Sequence, residues 1–159
     1  TYSIIEYLEE ELTEINLIGS DKLIRAEVRR LVDWFSHKFY NEVSKYFLNE
    51  KIISTYLKRH EINFNAIKAA NYNISGHMKY MQYLLSDRKW LAGDKISLAD
   101  FAASAQLSII DYLGDVDWDS FDLVKNWYLV LKSRPSFKDL LIEKIPGFKP
   151  SKIYELLDF

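Results

Sequence analysis

The sequence has 159 residues and a formal net charge of −2, with 21 Lys and Arg against 23 Asp and Glu. This length predicts one domain, and 48% hydrophobic residues exclude a disordered chain. The nearly balanced charge argues against a nucleic-acid-binding protein, which normally carries a basic excess. Cysteine is absent, so disulfides and cysteine-ligated metals are excluded, and we expect a cytoplasmic protein. No apolar stretch approaches the ~20 residues that span a bilayer, which predicts no membrane insertion.

The hydrophobic pattern predicts an all-α fold. Apolar residues recur at spacings of three and four, and no segment alternates with a period of two for long enough to form a sheet. Pro135 should end the last predicted helix, because the residue before proline disfavours the helical conformation. The predicted helices, in chain order, cover about 2–13, 21–48, 65–87, 98–112 and 121–133.

The most specific local pattern surrounds Ser97 and Asp100. Their spacing is that of a capping box, in which the side chain of each residue bonds the backbone amide of the other, with Asp in the place of the usual Glu. Ile96 and Phe101 occupy the two positions of a hydrophobic staple around it. The helix that follows is apolar almost all round, so we expect it to be central and buried. We interpret the capping box as structural, with no direct contact to a ligand.

The surroundings of this box resemble a known family. The run Trp-Leu-Ala-Gly-Asp at 90–94 precedes it, and Trp127, Tyr128 and residues 132–137 follow at the appropriate distance. Together they resemble the helical C-terminal domain of the glutathione S-transferase family. Residues 1–8 resemble the helix that closes the family's thioredoxin-like N-terminal domain. The resemblance therefore implies a transferase-like helical bundle.

This resemblance also implies a division of the chain. We expect 1–14 to be the last helix of a thioredoxin-like domain that is otherwise absent, 20–142 to be the helical domain, and 143–159 to be a C-terminal tail. Thr1 matches the family residue that contacts the γ-glutamyl carboxylate of glutathione. The catalytic region and the glutathione-binding loop belong to the absent domain, so we expect no catalytic residue here and no cofactor. Glutathione binding would require that domain.

Two longer segments, 98–118 and 145–159, resemble an alphaproteobacterial branch of the family that binds the division GTPase FtsZ. This resemblance implies a non-catalytic interaction protein whose partner is FtsZ. The residues themselves leave two alternatives open, since a short apolar segment after two prolines either folds back on its own domain or docks on a partner. The candidate partner-binding residues of the tail are Ile153, Tyr154, Leu156, Leu157 and Phe159.

The alternative function is that of an ordinary transferase. In its full-length form such a protein conjugates glutathione to hydrophobic electrophiles, and this domain lines the acceptor site. In the family, the helix that matches 21–48 borders the substrate cleft and the dimer groove. By this resemblance, Trp34, His37, Lys38 and Asn41 form a candidate cleft or dimer face, and the full-length protein is expected to be a homodimer.

A metal site is not predicted. Asp115, Asp117 and the acidic residues after them suggest calcium, but an EF-hand loop requires Gly and Glu where Ser120 and Asn126 stand. The histidines lack the spacing of a zinc site.

One face of the second predicted helix is basic, with Arg25, Arg29 and Arg30. This face could meet the acidic residues of the first helix, remain in solvent, or receive an acidic partner.

Overall fold

The computed structural model describes residues 2–12, 16–58 and 61–157. These residues form six helices and no β-strand, so the predicted all-α fold is confirmed. The second helix, α2, is continuous but changes type along its length, and its parts Trp34–Ser44 and Leu48–Ile53 are π-helical. The helices are α1 (Tyr2–Glu11), α2 (Lys22–Asp33, Trp34–Ser44, Lys45–Phe47, Leu48–Ile53 and Ser54–Tyr56), α3 (Phe64–Asp87), α4 (Leu98–Leu113), α5 (Asp122–Lys132) and α6 (Pro135–Ile142).

Helix α2 extends beyond its predicted end near residue 48. Its buried residues Phe35, Phe39, Val43 and Phe47 follow one another at a strict spacing of four. In an α-helix of 3.6 residues per turn, that spacing drifts around the axis. The wider i→i+5 turns of the π-helical parts counter the drift and keep all four side chains on the core. The next buried apolar residue, Ile52, follows Phe47 at a spacing of five, which fits a π-helical turn and not the α-helical period, so the predicted helix ended too early.

Helix α6 was not predicted. Pro135 follows the end of α5 and is also the first residue of α6. Proline suits this position because the amide it lacks has no partner in the first turn of a helix. Phe137 in α6 is buried, and its ring meets that of Tyr128 edge-to-face at 6.0 Å. This contact places α6 against α5.

Helix α4 lies at the centre, as predicted. Its residues Ala99, Ala103, Leu107 and Ile110 have no exposed surface and pack in one cluster with apolar side chains of α2, α3 and α5. Removing this apolar area from water is the main favourable contribution to folding.

The Asp100 carboxylate connects the start of α4 with two other parts of the chain. It accepts hydrogen bonds from the amides of Leu91 (3.0 Å) and Ser97 (2.9 Å), from the Ser97 hydroxyl (2.9 Å) and from Trp127 Nε1 in α5 (2.9 Å). Burial raises the pKa of Asp100, and these four donors oppose that rise. Ile96 and Phe101, the two residues of the predicted staple, are each half-buried against the core.

Helix α1 is attached by polar contacts. The Glu6 carboxylate receives two hydrogen bonds of 2.8 Å from the Arg29 guanidinium. Glu9 accepts from the amides of Leu17 and Ile18. No residue of α1 is buried. Of the three alternatives for the basic face, Arg29 meets the acidic side of α1, whereas Arg30 pairs with Glu27 of its own helix.

His77 joins α3 to α2. Trp34 Nε1 donates to His77 Nδ1 at 3.0 Å, so Nε2 carries the proton and donates to the Glu42 carboxylate at 3.0 Å. Burial lowers the pKa of His77, and Glu42 opposes that shift only in part, while Lys38 adds to it. Glu42 and Lys38, both in α2, are the charged groups that face the imidazole. The folded protein therefore favours the neutral histidine.

We expect Asp100→Ala to destabilise the protein more than Ser97→Ala. Loss of the Ser97 hydroxyl should cost about 1 kcal/mol, as for other N-cap residues. Loss of the Asp100 carboxylate leaves Leu91, Ser97 and Trp127 donors buried without their acceptor, so the cost should reach at least about 3 kcal/mol. Urea unfolding of both variants measures the difference. Equal losses would show that the carboxylate serves α4 alone.

We expect the free energy of unfolding to fall as the pH drops below 6.5, the ordinary pKa of histidine. Below that pH, His77 is protonated in the unfolded chain but stays largely neutral in the folded protein, so protonation stabilises the unfolded state. The His77→Gln variant should lack this part of the acid sensitivity, since an amide can still accept from Trp34 and donate to Glu42. Urea unfolding above and below pH 6.5 tests this. His37→Gln makes the same substitution at an exposed histidine and is the matched control, because it should leave the acid sensitivity that we attribute to His77 in place.

Candidate functional site

The tail folds back across the C-terminal end of α4. The Tyr112 hydroxyl donates to the Phe148 carbonyl (2.8 Å) and accepts from the Ile145 amide (3.1 Å). The Ser151 amide donates to the Tyr112 carbonyl, and the Ser151 hydroxyl donates to the Asp111 carbonyl, both at 2.8 Å. The last carbonyls of a helix have no partner within the helix. The tail therefore supplies partners to the end of the central helix.

Gly114 allows this close crossing. It ends α4 in the left-handed conformation with φ +76°. A Cβ atom at this position would lie 3.2 Å from Ser151 Cβ. Glycine avoids both the backbone strain and this tight contact.

The tail also reaches the end of α2. The Tyr56 hydroxyl donates to the Pro146 carbonyl, and the ring of Tyr56 meets that of Phe148 edge-to-face at 5.5 Å. The first half of the tail is thus held from two helices.

A buried ion pair lies beneath the second half of the tail. Lys132 Nζ, at the end of α5, is 3.3 Å from Asp111 Oδ2 and 3.4 Å from the Ile153 carbonyl. Both charged side chains are fully buried. Trp118 Nε1 (3.1 Å) and the Tyr128 hydroxyl (3.2 Å) donate to the same carboxylate. Burial raises the pKa of Asp111 and lowers that of Lys132, and each charge opposes the shift of the other.

The predicted tail residues divide into an inner and an outer set. Tyr154 is 2% exposed, packs edge-to-face on Tyr112 at 5.0 Å and donates to the Leu140 carbonyl. Ile153 is half-buried against the core. Leu156 and Leu157 are 44% and 49% exposed. Phe159 lies outside the described residues.

The end of the tail lies close to the end of α6. The hydrogen bond from Tyr154 to Leu140 and the ion pair between Lys144 and Glu155 bring the end of α6 and the end of the tail together. We call the exposed apolar side chains of these two neighbouring segments the tail patch. It consists of Leu140, Ile142, Leu156 and Leu157.

The candidate face on α2 is divided. Trp34 and Lys38 line a pocket of about 290 Å³ between α2 and α3, together with Glu42 and His77. The Lys38 ammonium lies 5.3 Å from the centroid of the Trp34 ring and pairs with Glu42. Sequence reasoning missed Glu42, although it stands one turn after Lys38.

The other two residues predicted for this face do not line the pocket. His37 pairs with Asp33 at 2.8 Å, and the Asn41 side chain donates to the His37 carbonyl. The structure therefore joins the four residues in two pairs. Their role in a cleft or a dimer remains a prediction.

Three further expectations concern other parts of the chain. Thr1 lies outside the described residues. The described residues contain no group of three or more His, Cys, Asp or Glu side chains placed to hold a metal ion. In the acidic loop, Asp115 pairs with Lys51 at 2.6 Å.

None of the helices in the described ranges combines the length and the apolar character needed to cross a membrane.

Known proteins resemble this chain both in its helical domain and in its tail. The family model of the glutathione S-transferase C-terminal domain matches residues 47–135. FtsZ-localized protein A of Caulobacter vibrioides is 45% identical over 159 residues, which are the whole of this chain and 70% of that protein.

Solved structures agree with this match. The structure of FzlA from C. crescentus has a TM-score of 0.96 at 45% identity, covering 100% of this chain and 70% of that one. A glutathione S-transferase from Rhodospirillum rubrum has a TM-score of 0.94 at 42% identity, covering 99% and 71%. A transferase from Sinorhizobium meliloti has a TM-score of 0.91 at 39% identity, covering 98% and 71%.

The family model spans more than half of the chain, and the likeness to the Caulobacter protein includes α1 and the tail on either side of it. The bundle around α4, with its Ser97–Asp100 start, therefore has the architecture of the transferase helical domain. The chain belongs to the glutathione S-transferase family.

Proposed function

We propose that this protein is a non-catalytic interaction protein that binds FtsZ in the bacterial cytoplasm and uses the tail patch to do so. The observation that carries the proposal is the 45% identity to FtsZ-localized protein A across the whole chain, tail included. A transferase-like bundle alone would not distinguish FtsZ binding from glutathione conjugation, because one fold can serve many functions.

The geometry of the tail supports this role. The tail patch exposes four aliphatic side chains on a surface fixed by hydrogen bonds, with Ile142 60% exposed. The fully buried centre of a protein–protein interface is richer in apolar surface than the rest of a protein. A docked tail can therefore complete its own domain and also present a surface to FtsZ.

We propose in addition that the full-length protein is a homodimer, as its family resemblance implies. This proposal does not depend on the tail.

We expect the double variant L156D/L157D to lose most of its binding to FtsZ polymers. Two carboxylates would have to be buried at the interface without partners, and affinity should fall at least ~10-fold. The fold should remain, because both side chains are substantially exposed. Co-sedimentation with assembled FtsZ measures the binding, and thermal unfolding confirms that the bundle is intact.

Leu23→Asp is the matched control, since Leu23 is 80% exposed in the first turn of α2. It should co-sediment like the wild type. Wild-type binding by L156D/L157D would contradict a role for the tail patch.

A second candidate is catalysis of glutathione conjugation by the full-length protein, with this domain lining the acceptor site. It is favoured by the 42% and 39% identity to the Rhodospirillum and Sinorhizobium transferases. In it, Thr1 would contact glutathione, and the pocket beside Trp34 would belong to the cleft or dimer face.

The two candidates predict different behaviour toward glutathione. The non-catalytic proposal expects that the full-length protein is not retained on a glutathione column and does not turn over a chloronitrobenzene substrate. Retention combined with turnover above the uncatalysed rate would favour the enzyme.

A further inference from the structure

We infer that Lys132 is the positioning residue of the tail patch and that it fixes this surface before a partner arrives. The inference rests on the proposed function, which it deepens by naming how the binding surface is held. It depends on the buried contacts under the tail rather than on the apolar residues that face solvent.

Lys132 connects the tail to the core through a single ammonium group. On the core side it is 3.3 Å from the Asp111 carboxylate, and on the tail side it is 3.4 Å from the Ile153 carbonyl. The rings of Tyr128 and Tyr154 surround it, with centroids at 5.4 Å and 5.7 Å. A buried ammonium needs such partners, because an uncompensated charge in the interior is costly.

The carbonyl that Lys132 contacts also forms the last turn of the tail. Ile153 O accepts from the Leu156 amide at 3.0 Å. The direction in which Leu156 and Leu157 project therefore depends on where this carbonyl is held. Lys132 acts on the patch through the backbone and does not belong to its exposed surface.

The contacts that the tail makes with α2 and with the end of α4 hold its first half. Tyr56, Tyr112 and Gly114 act on the segment from Ile145 to Ser151. Beyond Ser151, the Ile153 side chain packs half-buried on the core, and the Tyr154 ring packs on Tyr112. Tyr154 and Glu155 also contact the end of α6 and the residues after it. The Lys132 ammonium bonds the backbone of this part directly. Loss of the ammonium should release the outer set while the first half of the tail remains docked.

A fixed patch has a defined consequence for affinity. If only a fraction of the molecules present the patch correctly, the apparent dissociation constant rises by the inverse of that fraction. A tail docked ~10% of the time would thus bind about tenfold more weakly, although every residue that touches FtsZ is unchanged.

The test uses the variants K132M and D111N/K132M, with amide hydrogen exchange and FtsZ co-sedimentation as readouts. The single substitution leaves a buried carboxylate without its cation, which threatens the fold itself. The double variant removes both charges. The amide oxygen that replaces Asp111 Oδ1 can still accept from Trp118, and the amide NH2 that replaces Oδ2 can donate to the Tyr128 hydroxyl oxygen. Lys138→Met, at an exposed lysine of α6, is the matched control.

For the double variant we expect faster exchange at the Tyr154 and Leu156 amides, unchanged protection in α4 and about tenfold weaker FtsZ binding. Wild-type exchange at these two amides overturns the inference, and so does wild-type affinity despite a loosened tail. Equal loss of protection in α4 also overturns it, because Lys132 would then be a residue of general stability.

Failure of the wild-type protein to bind FtsZ would remove the proposed function. In that case the exchange measurement still decides whether Lys132 positions the tail, so the two ideas fail separately.

Discussion

The structure depends first on the buried Asp100 carboxylate and its four donors. Such a group is tolerated in an apolar interior only when its hydrogen bonds are made. Two donors come from Ser97 at the start of α4, one from Leu91 in the preceding loop, and one from Trp127 in α5. With α4 and α5 aligned in this way, Asp111, about three turns further along α4, meets Lys132. The position of the Asp100 carboxylate thus determines that of the Asp111 carboxylate, which lies under the tail.

Much of the fold could be predicted because its determinants are local. The spacing of apolar residues gave the extent of α1, α3, α4 and α5 to within two residues, and the residues around Ser97 identified the start of the central helix. The failures have physical causes. Helix α2 uses two helical periods, which a single-period pattern cannot represent. Helix α6 begins at a proline, a residue that either ends or starts a helix.

The candidate site was harder to predict because its contacts join distant parts of the chain. Nothing local in the tail indicates that Tyr154 turns inward while Leu156 and Leu157 turn outward. That division depends on Tyr112 and Lys132, which lie far earlier in the sequence. A lysine near a helix end is normally exposed to solvent, so nothing in the sequence indicated that Lys132 is buried. On α2, the resemblance grouped on one face four residues that the structure joins in two pairs.

The bonds from Ser151 to the last carbonyls of α4 have a consequence for how this protein can be dissected. The tail is the cap of the central helix as well as the carrier of an exposed surface. Truncation is the usual way to test whether a terminal segment recruits a partner. A truncation that removes Ser151 would leave the Asp111 and Tyr112 carbonyls without the hydrogen-bond donors that Ser151 supplies. If such a truncated protein no longer binds its partner, the loss does not distinguish removal of the binding surface from damage to the end of α4. Only changes to side chains that already face water separate recruitment from architecture.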